Sequence, residues 1–241
     1  MRYGILSDIH GNLEAIVAVL ETIRGQVDAY VCLGDIVGYG ANPNECLELM
    51  LDLNCPTVGG NHDWAVAGLT DYSEFNYIAQ EATLWTIREM KLKHIEYLRN
   101  LPLTLKLDDM LLVHASPNRP ERWTYLVQVD EIKETCRYFE ERVCFIGHSH
   151  IPFAVGWDEE GRMDIILSTR VQMDFKKRYL VNAGSIGQPR DGNAKASVVI
   201  YDTETQRIEF IRVPYDVQQT QRKIRDAKLP DRLAQRLEVG V

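Results

Sequence analysis

Apolar runs and amphipathic segments alternate along the first sixty residues of the chain. Three short apolar runs predict buried strands, at residues 2–7, 29–33 and 56–58. Apolar positions between them repeat every three to four residues and predict two helices, one capped by Asn12 and one that begins at Pro43. This order of strand, helix, strand, helix and strand indicates an α/β fold.

The rest of the chain is predicted to contain more strands than helices. Helical patterns cover residues 72–100 and about 129–138. Further strands are expected at residues 103–107, 110–113, 143–146, 153–157, 163–167, 178–181, 196–201 and 207–213. Two sheets between layers of helices would accommodate these elements. A charged helical tail is expected at about 216–241, and because no linker or repeat interrupts the pattern we expect a single domain over 1–241.

Composition excludes several classes of protein. The 241 residues are 45% hydrophobic and 26% charged, which is typical of a folded globular chain. The net charge of −8, without a block of lysine or arginine, disfavours nucleic acid as a partner. No secretory signal or membrane span is recognisable, so a cytoplasmic protein is expected. The five cysteines include no CxxC pair and predict neither disulfides nor a cysteine zinc site.

Potential metal ligands follow the predicted strands. Five histidines lie at strand ends or turns, His10, His62, His114, His148 and His150, and four of them, with Asp8, Asp35 and Asn61 beside them, make up the ligand set. The carboxyl ends of parallel strands meet at one edge of a sheet, where ligands bind. Carboxylates combined with imidazoles suit manganese, iron, nickel or zinc, whereas magnesium prefers oxygen ligands alone but is not excluded. The set is too large for one ion and suits two ions that share a carboxylate.

Each part of this set also has a simpler structural explanation. Asn12 is most simply a helix cap, Asp35 is compatible with a turn, and residues 61–63 are compatible with a turn that starts a helix. A single histidine after a strand is more often structural than a ligand. It is improbable that every one of these motifs in one chain is an independent structural turn, so the combined set favours a metal site.

These motifs resemble the calcineurin-like metallophosphoesterases, in particular their compact bacterial members. The family pattern D-x-H, G-D, G-N-H, H and G-H-x-H is matched in order by residues 8–10, 34–35, 60–62, 114 and 147–150. The resemblance implies a four-layer αββα sandwich of two mixed sheets. It also implies that Asp8, His10, Asp35 and His150 hold one ion, and that Asp35, Asn61, His114 and His148 hold the other.

The resemblance further implies hydrolysis of a phosphoester by a hydroxide that bridges two divalent ions. His62 would contact the phosphate and protonate the leaving oxygen. If the backbone is extended between His148 and His150, the two imidazoles reach different ions. Protein phosphatases of this superfamily continue the G-D motif as G-D-x-x-D-R-G, but Gly38 and Tyr39 replace that aspartate and arginine here. A phosphoprotein substrate is therefore disfavoured, and another group must orient His62.

Several other residues are candidates for substrate contact. Arg119 or Arg122 would suit a phosphate, and Trp123 would suit an aromatic group, although surface arginines and a packed tryptophan explain the segment equally well. Asn12 opens a helix beside the first motif and is a weaker candidate for the phosphate. His94, distant from every motif, is predicted to lie on the surface.

The segment 182–190 contains closely spaced glycines. It is compatible with backbone amides that approach the site, but more readily with a turn that supports the metal loops.

The function predicted is a phosphodiesterase or phosphatase acting on a small molecule, with a nucleotide as one candidate. A nuclease on the same site and a non-catalytic scaffold of the same fold are the alternatives. The complete ligand set argues against the scaffold. A homo-oligomer is left open.

Overall fold

The computed structural model describes all 241 residues as strands, helices and their connections. The strands are β1 (Arg2–Leu6), β2 (Ala29–Cys32), β3 (Thr104–Leu107), β4 (Met110–Val113), β5 (Val143–Ile146), β6 (Phe153–Trp157), β7 (Met163–Ile166), β8 (Arg170–Gln172), β9 (Arg178–Asn182), β10 (Ala196–Asp202) and β11 (Arg207–Val213). The helices are α1 (Leu13–Ile23), α2 (Pro43–Asp52), α3 (Asn61–Val66), α4 (Tyr77–Glu89), α5 (Leu92–Arg99), α6 (Val129–Thr135), α7 (Val217–Asp226) and α8 (Asp231–Val239).

The strands form two mixed sheets. The first has the order β2-β1-β10-β11-β8, and the second has the order β3-β4-β5-β9-β6-β7. β1 is parallel to β2, and β4, β5 and β9 are parallel to one another, whereas the remaining pairs are antiparallel. The parallel strands therefore bring several carboxyl ends to one end of the molecule.

Three buried layers hold the sheets and helices together. Ile5 of β1 packs with Phe145 of β5 in the core between the two sheets. Leu6, the next residue of β1, packs with Ile16 of α1 on the opposite face, because successive strand residues point to opposite faces. A third core, which includes Ile132 of α6, covers the outer face of the second sheet. This arrangement is the predicted four-layer αββα sandwich.

The C-terminal helices α7 and α8 pack against each other and against the first part of the chain. Gln221 Nε2 donates to the carbonyl oxygen of Ala234 at 2.9 Å. Leu233 and Leu237 of α8 share a buried cluster with Tyr39, from the loop after β2. None of the helices is long and apolar enough to cross a membrane.

Some sequence predictions differ from the structure. The segment 72–100 is not one helix but a short 3-10 turn followed by α4 and α5. Strand β8 was not predicted, and only one bridge, between Cys32 and Thr57, forms in the strand expected at 56–58.

The prediction for His94 was wrong. Its side chain is only 1% exposed, because it packs against α2, where Nδ1 lies 2.7 Å from Asn44 Oδ1. All five cysteine thiols are free.

Candidate metal centre

The predicted ligands come together at the carboxyl ends of the parallel strands. Asp8 follows β1, Asp35 follows β2, His114 follows β4 and His148 follows β5. The loops hold one another in place: His10 N donates to Asp35 O at 2.9 Å. The site therefore joins the edges of both sheets, and its side chains are almost fully buried.

Asp8, His10 and His150 form one candidate metal-ligand group. His150 Nε2 lies 3.1 Å from His10 Nε2 and 3.2 Å from Asp8 Oδ1. Asp35, which belongs to the second group described below, also lies close to this one: its Oδ2 is 3.6 Å from His10 Nε2.

Asp35, His114 and His148 form a second group, with Asn61 beside them. His114 Nε2 lies 3.2 Å from Asn61 Oδ1, 3.2 Å from His148 Nδ1 and 3.3 Å from Asp35 Oδ2. Asp35 thus contacts both groups, and His148 and His150 fall into different ones. His10, Asp35 and His62 form a third, overlapping group.

Backbone carbonyls orient three of these histidines. The Nδ1 atoms of His10, His114 and His150 lie 3.1, 2.8 and 2.5 Å from carbonyl oxygens, which belong to Val37, Leu33 and Gln188. Because a carbonyl only accepts hydrogen bonds, these contacts place a ring proton on Nδ1 and direct Nε2 into the site, and in neutral His10 and His150 they leave Nε2 with its lone pair. The lone pairs of His10 and His150 then face each other and a carboxylate oxygen of Asp8. A divalent cation satisfies this arrangement, so the residues fit the expected ions.

The charges of the site support the same conclusion. Although burial opposes ionisation, His150 holds the pKa of Asp8 below its usual range, and His114 does the same for Asp35. Burial, reinforced by His114, lowers the pKa of His148 to about 3. His114 is the exception: burial lowers its pKa, but the Asp35 and Asp8 carboxylates and the Leu33 carbonyl together outweigh burial and raise the pKa to about 9. The two buried carboxylates therefore make the site attractive to positive charge.

The backbone is strained at the ligands. Asp8, His10, Asp35, His148 and His150 all have left-handed conformations, with φ values of 51°, 49°, 52°, 63° and 61°. Residues other than glycine rarely adopt this conformation, and such strain is concentrated at functional sites. The condition considered from the sequence, an extended backbone at His148 and His150, is therefore not met. Left-handed turns, not an extended segment, direct their rings to separate groups.

Asp63 is a buried support that the sequence analysis did not recognise. Its carboxylate accepts hydrogen bonds from the backbone N–H groups of Asp35 at 2.7 Å, Ile36 at 3.0 Å, Val37 at 3.2 Å and Gly60 at 3.1 Å. These bonds fix the loop that carries Asp35. Its position directly after the G-N-H motif was the available signal.

Aromatic packing orients His62. Its ring centroid lies 4.4 Å from that of Tyr39 and 5.0 Å from that of Phe75. Gly38 has φ +90°, and a Cβ added there would lie 2.9 Å from His62 Nδ1. The glycine and tyrosine that depart from the phosphatase motif therefore form the surface on which the imidazole rests.

Asn12 and the turn at 182–190 have structural roles. Asn12 Oδ1 caps α1 by accepting from Ala15 N at 3.1 Å, and its Nδ2 donates to Gly187 O at 2.9 Å. Both polar atoms are thus engaged within the protein. The turn at 182–190 braces the first metal loop, since Gly187 N donates to Asp8 O at 2.8 Å.

A cleft of about 270 Å³ opens beside the second group. Asn61, His62 and His148 lie at its inner end, and its walls include Phe75, Arg122, Trp123, Tyr125, Asp71 and Glu74. The Tyr125 ring stacks on His148 with centroids 4.0 Å apart. Arg122 and Trp123 thus border the site, whereas Arg119 does not line the cleft.

Comparison with known proteins identifies the family. The model of the calcineurin-like phosphoesterase superfamily domain matches residues 1–206. The chain belongs to this superfamily. The uncharacterized protein MJ0912 of Methanocaldococcus jannaschii is 44% identical to this phosphoesterase over 98% of the chain and 97% of the relative.

Two solved structures have the same fold. A metallophosphoesterase from Sphaerobacter thermophilus is 38% identical, with a TM-score of 0.88 over 100% of this chain and 99% of that one. The hypothetical protein PH1004 from Pyrococcus horikoshii OT3 is 23% identical, with a TM-score of 0.80 over 100% and 98% of the two chains, and shares the fold. This calcineurin-like phosphoesterase is accordingly a metal-dependent phosphoric ester hydrolase.

Proposed function

We propose that the protein uses two divalent metal ions to hydrolyse a small phosphodiester or phosphomonoester, with nucleotides as the favoured class. Asp8, His10 and His150 would hold one ion, and Asn61, His114 and His148 would hold the other. Asp35, which contacts both groups, would bridge them. Manganese, iron, nickel and zinc suit the mixed nitrogen and oxygen ligands best.

The observation that carries this proposal is the set of facing acceptor atoms. His10 Nε2 and His150 Nε2 lie 3.1 Å apart although the Nδ1 atom of each ring faces a backbone carbonyl. Two unprotonated nitrogens at this distance repel each other unless a cation or a proton lies between them. When bound, a pair of divalent ions would activate a water molecule and neutralise the oxygens of a phosphoryl group.

His62 is the proposed catalytic residue of the chain. Burial, with a contribution from Arg190, lowers the pKa of its imidazole to about 4. The free imidazole is therefore neutral near pH 7 and can donate a hydrogen bond to a phosphoryl oxygen. The negative charge of a bound phosphate favours the protonated form, from which His62 would transfer a proton to the leaving oxygen.

The cleft supports a nucleoside as one part of the substrate. Trp123, Tyr125 and Phe75 offer aromatic faces on which a base can stack. Asp71 and Glu74 lie in the same cleft, where they disfavour a further phosphate and can accept hydrogen bonds from ribose hydroxyls. The negative charge of these carboxylates also disfavours binding of a nucleic acid strand, because the next phosphate of the strand would approach them.

The test is a hydrolysis screen with measured metal content. The purified protein is loaded with manganese, nickel, zinc or magnesium and assayed with nucleotides, cyclic nucleotides, dinucleoside polyphosphates, an aryl phosphodiester and the matching monoester. The proposal predicts about two bound ions per chain and release of phosphate or of a nucleotide. A metal-loaded protein inert toward the whole panel would contradict it and favour a scaffold, and cleavage restricted to DNA or RNA would favour a nuclease.

A further inference from the structure

A cluster of three arginines lies next to the candidate metal centre. It consists of Arg190, which follows the turn after β9, and of Arg232 and Arg236 in α8, where the charges of Arg190 and Arg232 both act on Arg236. Arg232 and Arg236 lie beyond residue 206, where the match to the family model ends. We call these three residues the arginine cluster.

The C-terminal helix is seated on the loop that carries Arg190. Gly192 N donates to Gly240 O at 2.8 Å, which joins this loop to the end of α8. Leu233 and Leu237 of α8 pack in the same buried cluster as Tyr39. The helix is therefore held against both the loop and the aromatic ring beside His62.

Arg190 connects the cluster to the site. Its backbone N donates to His150 O at 3.3 Å, and its guanidinium carbon lies 5.9 Å from the centroid of the Tyr39 ring. Since that ring is 4.4 Å from the ring of His62, Tyr39 contacts both the arginine and the proposed catalytic histidine. The guanidinium donates to a neutral acceptor, Gln188 Oε1, at 2.8 Å.

No aspartate or glutamate pairs with the arginine cluster: Arg236 Nε donates to the backbone oxygen of Val241, and the Arg190 guanidinium donates to Gln188 Oε1. Six other arginines of this acidic chain do form ion pairs with carboxylates, namely Arg99, Arg137, Arg162, Arg170, Arg212 and Arg225. Burial and the nearby charge of Arg190 lower the pKa of Arg236 to about 10. Neighbouring positive charges without a carboxylate destabilise the folded state, and a bound anion removes this repulsion.

We propose that the arginine cluster binds a phosphate group of the substrate that is not the one hydrolysed. This inference rests on the proposed function and names its substrate class: a compound with two or more linked phosphates, such as a nucleoside polyphosphate. The reacting phosphate lies between the metal ligands and His62, and the nucleoside lies in the aromatic cleft. The remaining phosphates extend past Tyr39 to Arg190 and Arg236, which offer the planar donors that suit phosphate oxygens.

Binding of two inorganic probes tests this inference without turnover. Orthophosphate and tripolyphosphate are titrated calorimetrically into the manganese-loaded protein at one fixed concentration of free manganese. Arg236→Ala and Arg190→Ala are each expected to weaken tripolyphosphate binding about 10-fold or more and to leave orthophosphate binding unchanged. Arg236→Lys, which keeps the charge, should restore part of the affinity. Arg207→Ala is the matched control, because this unpaired, exposed arginine begins β11 at the end of the sheet where β1 also begins.

Each outcome separates this inference from the proposed function. Equal losses for both probes, or no loss for either, would overturn the inference, as would a wild-type protein that binds tripolyphosphate no more tightly than orthophosphate.

If the selective loss is found in a protein that cleaves no phosphoester, the arginine cluster is supported and the proposed hydrolysis fails. If mono- and polyphosphate esters are cleaved with the same KM in wild type and in Arg236→Ala, the hydrolysis stands and the arginine cluster fails.

Discussion

The Nε2 atoms of His10 and His150 face each other at a distance of 3.1 Å, and the Nδ1 atom of each ring faces a backbone carbonyl. Removal of the metal should therefore destabilise the folded protein. A ligand present at 100 times its dissociation constant contributes about 2.7 kcal/mol, so EDTA is expected to lower the Tm by several degrees. Differential scanning calorimetry before and after manganese is restored measures the change. An identical Tm in both states, with no metal detected by mass spectrometry, would rule out the site.

His148 and His150 are expected to serve different ions, because their imidazoles belong to different groups. His148→Ala and His150→Ala should each retain about one equivalent of metal, and the double variant should retain almost none. Inductively coupled plasma mass spectrometry of the purified variants gives the count. If either single variant keeps two equivalents of metal, or if the double variant loses no more metal than a single variant, the assignment to different ions is wrong.

Replacement of His62 by alanine should abolish most turnover while both ions remain bound. The expected loss in kcat is about 10²- to 10⁴-fold, which is typical of a general acid. His94→Ala is the control, since His94 is also buried but contacts α2 instead of the site. It should lower the Tm and leave kcat nearly unchanged. Wild-type kcat in His62→Ala would refute the catalytic role, and loss of metal would instead indicate a ligand.

Asp63 is expected to support the metal loop through its four backbone hydrogen bonds. Asp63→Asn replaces one acceptor oxygen by a donor, so some of these N–H groups lose their partner. The expected loss is about 2–3 kcal/mol in the free energy of unfolding, together with weaker metal binding. Urea denaturation with Asp52→Asn, an exposed change on α2, as the reference measures the loss. Equal stability of the two variants would show that these bonds contribute little.

Trp123 is predicted to bind the nucleoside part of the substrate. Trp123→Ala should raise KM for a nucleotide substrate about 5- to 150-fold, because stacking of one base contributes about 1–3 kcal/mol. KM for a small aliphatic phosphoester should change little. Arg119→Ala, in the same loop but outside the cleft, is the control. A uniform rise of KM for both substrates in Trp123→Ala would indicate a structural role.

The fold was predictable because buried parallel strands and amphipathic helices leave strong patterns in the sequence. The runs at 2–7 and 143–146 correspond to β1 and β5, which form the centre of the sandwich. β8 was missed because its three residues alternate too briefly to be distinguished from a loop. His94 was misjudged because burial against α2 depends on a contact with Asn44, fifty residues away, that no local pattern records.

The ligand motifs could be read from the sequence, whereas their surroundings could not. Asp8 and His10 are separated by one residue in a recognisable motif, and their residue types suggest their chemistry. Tyr39 and Arg190 are separated by about 150 positions, so only the fold shows that one lies over the other. Contacts of this kind decide which substrate fits, and they depend on long-range packing.

The strand order of the first sheet has a consequence for synthesis of the protein. β1, which leads to Asp8, is flanked by β2 and by β10. A nascent chain therefore exposes one unpaired edge of this strand until residues 196–202 have left the ribosome. Pairing across such a separation is slow, and an open edge invites association with other chains. We expect the metal-binding end to mature only after translation is nearly complete, so a chaperone that shields β1 would raise the yield of active protein.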